Sequence, residues 1–249
     1  MRRKFRLLCT VGCLAVLLFS GYQLYTYWRQ NAQSAAVYEE LAQYAPVQSS
    51  PEAAAVTEQM VWPEVDFDGL ETVNSDIIGW LYCADTVIDY PVVQSTDNSY
   101  YLDHLFDRSD NPNGCLFVNY RNAGDFSDRH IVIYGHAMKN GSMFSSIRSY
   151  AEQDYYNVHP QLLLLTPQAR YVVQLFSGYV ASVQEDAWQL TFTDDAAFEA
   201  WLDDIMRQSA FKSMVQPTHT DHILTLSTCS YDFDDARFVV HGILKSIPK

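Results

Sequence analysis

Nineteen consecutive residues, Leu7 to Tyr25, carry no charge and are mostly apolar. A helix needs about 20 such residues to cross a bilayer, so this run constrains the chain before anything else does. The basic cluster Arg2, Arg3, Lys4 and Arg6 precedes it, and positive residues stay on the cytoplasmic side. Residues 1–28 therefore read as a cytoplasmic tail and transmembrane signal-anchor, with everything later outside the cell membrane. Tyr22, Tyr25, Tyr27 and Trp28 are suited to an aromatic belt at the outer interface. A cleaved signal peptide is the rival reading, with Ala32-Gln33-Ser34 as its small-x-small site, but that site lies far beyond the apolar run. Lipidation at Cys13 fits less well, because most of the run follows that cysteine.

Charge divides the chain in the same way. The first 29 residues hold Arg2, Arg3, Lys4, Arg6 and Arg29 and no acid, so the remainder keeps 11 of the 16 basic residues, all 30 acids and a net charge of −19. Such a body repels nucleic acid and anionic membrane surfaces. Residues 29–62, rich in Ala, Gln, Ser and Glu and broken by Pro46 and Pro51, read as an extracellular stalk that is helical around 32–44. A domain follows from about Trp62, assigned to 63–249.

There are five cysteines. Cys9 and Cys13 fall within the apolar run, leaving Cys83, Cys115 and Cys229, an odd number for an exported chain. Cys83 and Cys115 read as buried strand residues, with a bond between them as the minority alternative. No cysteine–histidine spacing suits zinc.

Short strand patterns recur along 77–82, 87–93, 114–118, 130–134, 162–166, 171–183, 223–228 and 238–244, with helical patterns at 66–75, 98–104, 142–150 and 194–209. Phe198, Trp201, Leu202 and Ile205 give the last of these its apolar face. Many strands with few intervening helices predict a mainly β fold with peripheral helices, a closed or nearly closed barrel.

The chemistry concentrates at Thr225-Leu226-Ser227-Thr228-Cys229, with Arg237 eight positions later. A cysteine at a strand's end beside an arginine opening the next strand suits attack on an amide: thiolate as nucleophile, guanidinium against the oxyanion. A base is then needed. At about 3.3 Å per strand residue, His222 lies about 23 Å from Cys229, and His241 about 13 Å down the following strand. His130 begins its strand, whereas His136 leaves the same strand after Gly135, a residue that permits an unusual backbone turn. His136 is the best candidate.

Together these features resemble the sortase family over residues 66–245. The stretch 225–229, Arg237 and Tyr134-Gly135-His136 agree with the family's Cys, Arg and His in order and character. Asn74-Ser75-Asp76-Ile77-Ile78-Gly79-Trp80-Leu81, Ile88-Asp89-Tyr90-Pro91-Val92-Val93-Gln94, Asp97-Asn98-Ser99-Tyr100-Tyr101-Leu102 and Lys139-Asn140-Gly141-Ser142-Met143-Phe144 resemble class B in particular. Two positions depart: Ala137 where asparagine often follows the histidine, and Asn119 where aspartate is common. The resemblance implies an eight-stranded sortase barrel and a cysteine transpeptidase with Cys229, His136 and Arg237 catalytic and no cofactor. Ser227, Thr228 and Tyr134 are the candidate substrate-binding residues. The implied partners are C-terminal sorting signals, around Asn-Pro-x-Thr or Ser/Pro-Pro-x-Thr-Gly, and a peptidoglycan amine. A mainly hydrolytic secreted cysteine peptidase, a pilin-polymerising sortase and an inactive tethered binding module are the alternatives. A papain-like peptidase would have its cysteine before its histidine, the reverse of the order here.

Overall fold

The computed structural model describes residues 2–45, 62–230 and 234–247. Helix α1 (Arg2–Leu41) contains the whole apolar run. At 1.5 Å per residue its 40 residues extend about 60 Å. It is long and apolar enough to cross a membrane, and Leu7, Leu14, Leu18, Phe19 and Trp28 stand exposed along it. The expected helix at 32–44 is the end of this same helix, continued by a 3₁₀ turn at Ala42–Tyr44. Its last turns do not stand away from the domain as a free stalk. Ser34, Leu41 and Ala45 are buried, and Asp66 N–H donates to the Tyr44 carbonyl at 2.8 Å. The rest of the stalk, residues 46–61, lies outside the described residues.

Eight strands close into a barrel: β1 (Ile77–Tyr82), β2 (Asp89–Val93), β3 (Leu116–Val118), β4 (His130–Tyr134), β5 (Gln161–Leu165), β6 (Arg170–Ser182), β7 (Ile223–Cys229) and β8 (Ala236–Ile247). Their order around it is β1-β2-β3-β4-β7-β8-β6-β5, with β5 returning to β1. Closure removes the unpaired edges that would invite aggregation. Two neighbours run parallel, β2 with β3 and β4 with β7. Pro91 fits inside β2 because pairing with β3 begins only at Val92.

Periodicity explains the core. Alternate residues Ile131, Ile133, Leu224, Leu226, Phe238 and Val240 enter the main apolar cluster. Helix α2 (Phe67–Val73), capped by Asp66 onto Gly69 N–H at 2.9 Å, and the end of α1 cover a second cluster around Trp80 and Phe117. Helix α4 (Asp195–Arg207) lays Phe198, Trp201, Leu202 and Ile205 over β6 and β8. Each such large side chain contributes about 1.5–3 kcal/mol on burial. The short helix α3 (Gln153–Val158) was not apparent in the sequence, because six residues are too few to show a period. Cys83 and Cys115 are buried and unbonded, Cys83 just after β1 and Cys115, expected within a strand, just before β3. Gly114, expected to begin a strand, instead takes the left-handed conformation, φ +62°.

A buried polar chain crosses the barrel wall. Because a carbonyl can only accept, His130 Nδ1–H must donate to the Gln189 carbonyl at 2.8 Å. His130 Nε2 then accepts from the Thr225 hydroxyl at 2.7 Å, and Thr225 Oγ1 accepts from His241 Nδ1–H at 2.7 Å. Both rings are neutral in this arrangement, and burial pushes His130 down to about 4 and His241 well below the usual 6.5.

A depressed histidine stabilises the fold fully above its unfolded value and loses that contribution as pH falls. The contribution of His130 and His241 to the melting temperature is therefore expected to be constant above pH 6.5 and to fall as pH drops toward about 4. The contribution from His130 is on the order of 3 kcal/mol. Melting curves of wild type and His130→Gln across the window check this, and parallel curves would refute it.

Candidate active site

Strand order makes the site. Since β4 and β7 run parallel, with Tyr134 level with Ser227, both strands end on the same rim of the barrel. Two residues beyond those partners stand His136 and Cys229. Strand β8 returns antiparallel to β7, and its register sets Arg237 directly opposite Cys229. Three residues far apart in sequence thus meet at one mouth. They border a cavity of about 390 Å³, lined also by Asn98, Leu102, Phe117, Tyr134 and Thr228.

The His136 and Cys229 side chains line the same cavity. Their interaction is the main cause of both shifts: it raises His136 above 6.5 and lowers Cys229 below 9. The Arg237 guanidinium adds to the lowering of Cys229 and opposes the rise of His136. Partial burial works against each charged form. Both shifts favour a thiolate beside an imidazolium. Cys83 and Cys115 behave oppositely, because burial raises both, Cys115 to about 12.

Orientation of the imidazole comes from the backbone. His136 Nε2 lies 2.8 Å from the Leu102 carbonyl. That oxygen can only accept, so Nε2 carries the proton and Nδ1 is the basic nitrogen of the neutral ring. Gly135 is required, though not for an unusual turn. Its φ is not positive; instead a Cβ there would sit 2.4 Å from Leu116 Cδ2 and 2.7 Å from Phe144 Cδ2. The strand end passes so close to its neighbours that a side chain there would force Leu116 and Phe144 to shift.

Ser227, Thr228 and Tyr134 all border the cavity, and their polar groups already hold parts of it. Trp188 Nε1 donates to Ser227 Oγ at 3.0 Å, and the Thr228 hydroxyl donates to the Gly135 carbonyl at 2.7 Å. Asn119 Nδ2 donates to Tyr134 Oη at 3.0 Å. Asn119, one of the two departures, therefore steadies a wall of the cavity. Ala137, the other, pairs with Met143 in an isolated bridge. Leu102 escaped sequence reasoning as a contributor because it acts through its carbonyl, which leaves no mark on residue type. Among the described residues no group of three or more His, Cys, Asp and Glu could hold a metal.

The Sortase domain family model matches residues 81–245. Sortase B of Listeria monocytogenes is 33% identical over 238 residues, covering 94% of each chain. A sortase B–substrate complex from Staphylococcus aureus superposes with a TM-score of 0.70 at 30% identity, covering 73% of this chain and 85% of that one. Sortase B from Bacillus anthracis superposes with a TM-score of 0.73 at 29% identity, covering 90% and 100%. With the barrel, the family match and these relatives in agreement, the chain belongs to the sortase family of cysteine transpeptidases and is of the sortase B kind.

Proposed function

We propose that the protein cleaves a C-terminal sorting motif after threonine and transfers the upstream protein to an amine of cell-wall peptidoglycan. The observation that carries this is the meeting of Cys229, His136 and Arg237 at one cavity, with Arg237 level with Cys229 across the strand pair. The Staphylococcus aureus relative, solved with its substrate, supports substrate binding by the same fold. The motif is of the Asn-Pro-x-Thr or Ser/Pro-Pro-x-Thr-Gly kind.

In the first half-reaction the Cys229 thiolate attacks the threonine carbonyl carbon, forming a C–S bond. Negative charge moves to the carbonyl oxygen, where the Arg237 guanidinium stabilises it. Collapse breaks the C–N bond, and the His136 imidazolium gives its proton to the leaving amine. The result is a thioester on Cys229. In the second half-reaction an acceptor amine attacks that thioester and neutral His136 takes the amine's proton. The C–S bond breaks, a new amide forms and the thiolate–imidazolium pair returns. Tyr134, Ser227 and Thr228 form the wall against which the motif lies. The N-terminus is cytoplasmic, residues 1–28 anchor the chain by a single span, and the catalytic domain, 63–249, faces the outside.

Two outcomes are expected of the full chain in detergent or nanodiscs. Iodoacetamide should alkylate Cys229 with a pH midpoint below 9, because the thiolate is the reactive form. His136→Ala removes the largest cause of the lowering and should move that midpoint up; Arg237→Ala should move it less. Cys83 and Cys115 should stay unmodified in the folded protein. A midpoint unmoved in His136→Ala would rule out the pair.

Quenched peptides carrying the two motif types should give an acyl adduct on Cys229, visible by mass spectrometry and converted to an amide by an added amine. Cys229→Ala should abolish the adduct. His136→Ala should slow turnover about 10²–10⁴-fold and Arg237→Ala about 10²–10³-fold. Hydrolysed product alone, unchanged by any amine, would favour a peptidase instead.

A further inference from the structure

The last turns of α1 reach the two loops that flank His136. Asn31, Ser34, Tyr38 and Leu41 follow a three-four-three spacing, so they share one helical face that lies against the barrel. The first contacts come immediately after the exposed aromatic residues Tyr27 and Trp28: Asn111 Nδ2 donates to the Gln30 carbonyl at 2.9 Å.

One atom then accepts from both sides of the site. Asn31 Oδ1 receives Asn113 Nδ2 at 3.1 Å and Asn140 Nδ2 at 3.0 Å. Asn113 precedes Gly114, whose left-handed backbone is wedged against the histidine and its acceptor. A Cβ on Gly114 would stand 2.5 Å from the Tyr101 carbonyl, 2.9 Å from the Leu102 carbonyl and 3.1 Å from His136 Cδ2. Asn140 sits at the tip of the loop that leaves His136. It caps Ser142 through Oδ1, and the loop closes with Phe144 N–H on the His136 carbonyl at 2.9 Å.

Tyr38 makes a second link, seven residues along the same face. Its hydroxyl donates to the Gly114 carbonyl at 2.8 Å. Its ring meets Tyr90 edge-on at 5.2 Å between centroids. Tyr90 Oη in turn accepts from Met143 N–H at 3.1 Å, where Met143 holds an unfavourable φ of +56°.

We propose that Asn31 and Tyr38 are positioning residues for His136, so that the juxtamembrane helix forms part of the active-site scaffold. They act through Gly114 and the 136–144 loop and do not touch the reacting atoms. An imidazole displaced from beside Cys229 no longer favours the thiolate, which raises the thiol's titration midpoint and slows acylation while leaving the substrate wall intact.

The proposal rests on His136 and Cys229 acting together as described above, and the test separates the two. Full-length wild type, Asn31→Ala, Asn31→Asp and Tyr38→Phe are compared in nanodiscs by the pH midpoint of Cys229 alkylation, by kcat and KM on the best peptide, and by melting temperature. Asn31→Ala should raise the alkylation midpoint and lower kcat roughly tenfold with little change in KM. Asn31→Asp, whose carboxylate still accepts both bonds, should restore both. Tyr38→Phe, which loses only the hydroxyl, should shift the midpoint in the same direction. A midpoint and kcat unchanged in Asn31→Ala and Tyr38→Phe, with only melting lowered, would overturn the positioning role. Wild type that turns over no peptide would sink the transpeptidase reading, and the alkylation midpoint would still decide this one.

Discussion

The parallel pairing of β4 and β7 is the constraint on which the site depends. Antiparallel neighbours deliver consecutive chain ends to opposite rims, whereas a parallel pair delivers both ends to one. His136 and Cys229 are each the second residue beyond the Tyr134–Ser227 level, and they meet because of that pairing. The connection from β4 to β7 must then cross the molecule, and residues between them supply β5, β6 and α4 on the way. Those elements close the barrel and cover its outer face, so the long insertion is also what buries the strands that carry the site. Arg237 follows from the next antiparallel step, with no further requirement than a short return from β7 to β8.

The barrel treats its histidines in opposite ways along these same strands. His130 starts β4 and His136 follows its end. At the start, burial and three matched hydrogen bonds hold His130, Thr225 and His241 in a neutral chain. Beyond the end, an anionic partner and a backbone carbonyl favour the charged imidazole. The difference comes from surroundings, not from residue type. A neutral relay within the wall adds no charge near Cys229, and so the electrostatics of the mouth are set by His136 and Arg237. The same division applies to the cysteines: Cys83 and Cys115 are pushed toward the thiol by burial, and Cys229 toward the thiolate by its neighbours.

What could be read from the sequence was whatever residue type records. Short apolar, strand-forming runs marked all eight strands, though β8 runs from Ala236 to Ile247, longer at both ends than its apolar run, because pairing with β6 extends it. The reach along a strand, about 3.3 Å per residue, correctly set His222 and His241 apart from the reacting rim. Reasons lodged in the backbone were hidden. Gly135 seemed to be needed for its torsion and is needed for its size. Gly114 seemed to extend a strand and instead turns left-handed against His136. The Leu102 carbonyl that orients the imidazole belongs to a residue whose side chain gives no hint of it.

Composition misled most over residues 30–45. Gln, Ala and Ser in that stretch suggested a solvated spacer, and no strong apolar stripe argued against it. The docking face is instead built from one tyrosine, one leucine and small or amide residues, which allow the helix to approach closely and to hydrogen-bond to loops rather than to a greasy groove. Such a face is weak in hydropathy and strong in specificity: an amide that accepts two defined donors fixes register, where an apolar contact would tolerate sliding. The exposed belt residues end at Trp28 and the contacts begin at Gln30. If the belt marks the outer interface, little chain remains between bilayer and barrel, and the mouth that holds Cys229 and His136 lies close to the membrane on a helix that also touches its loops. A rigid seat of that kind restricts how the mouth can turn relative to the bilayer.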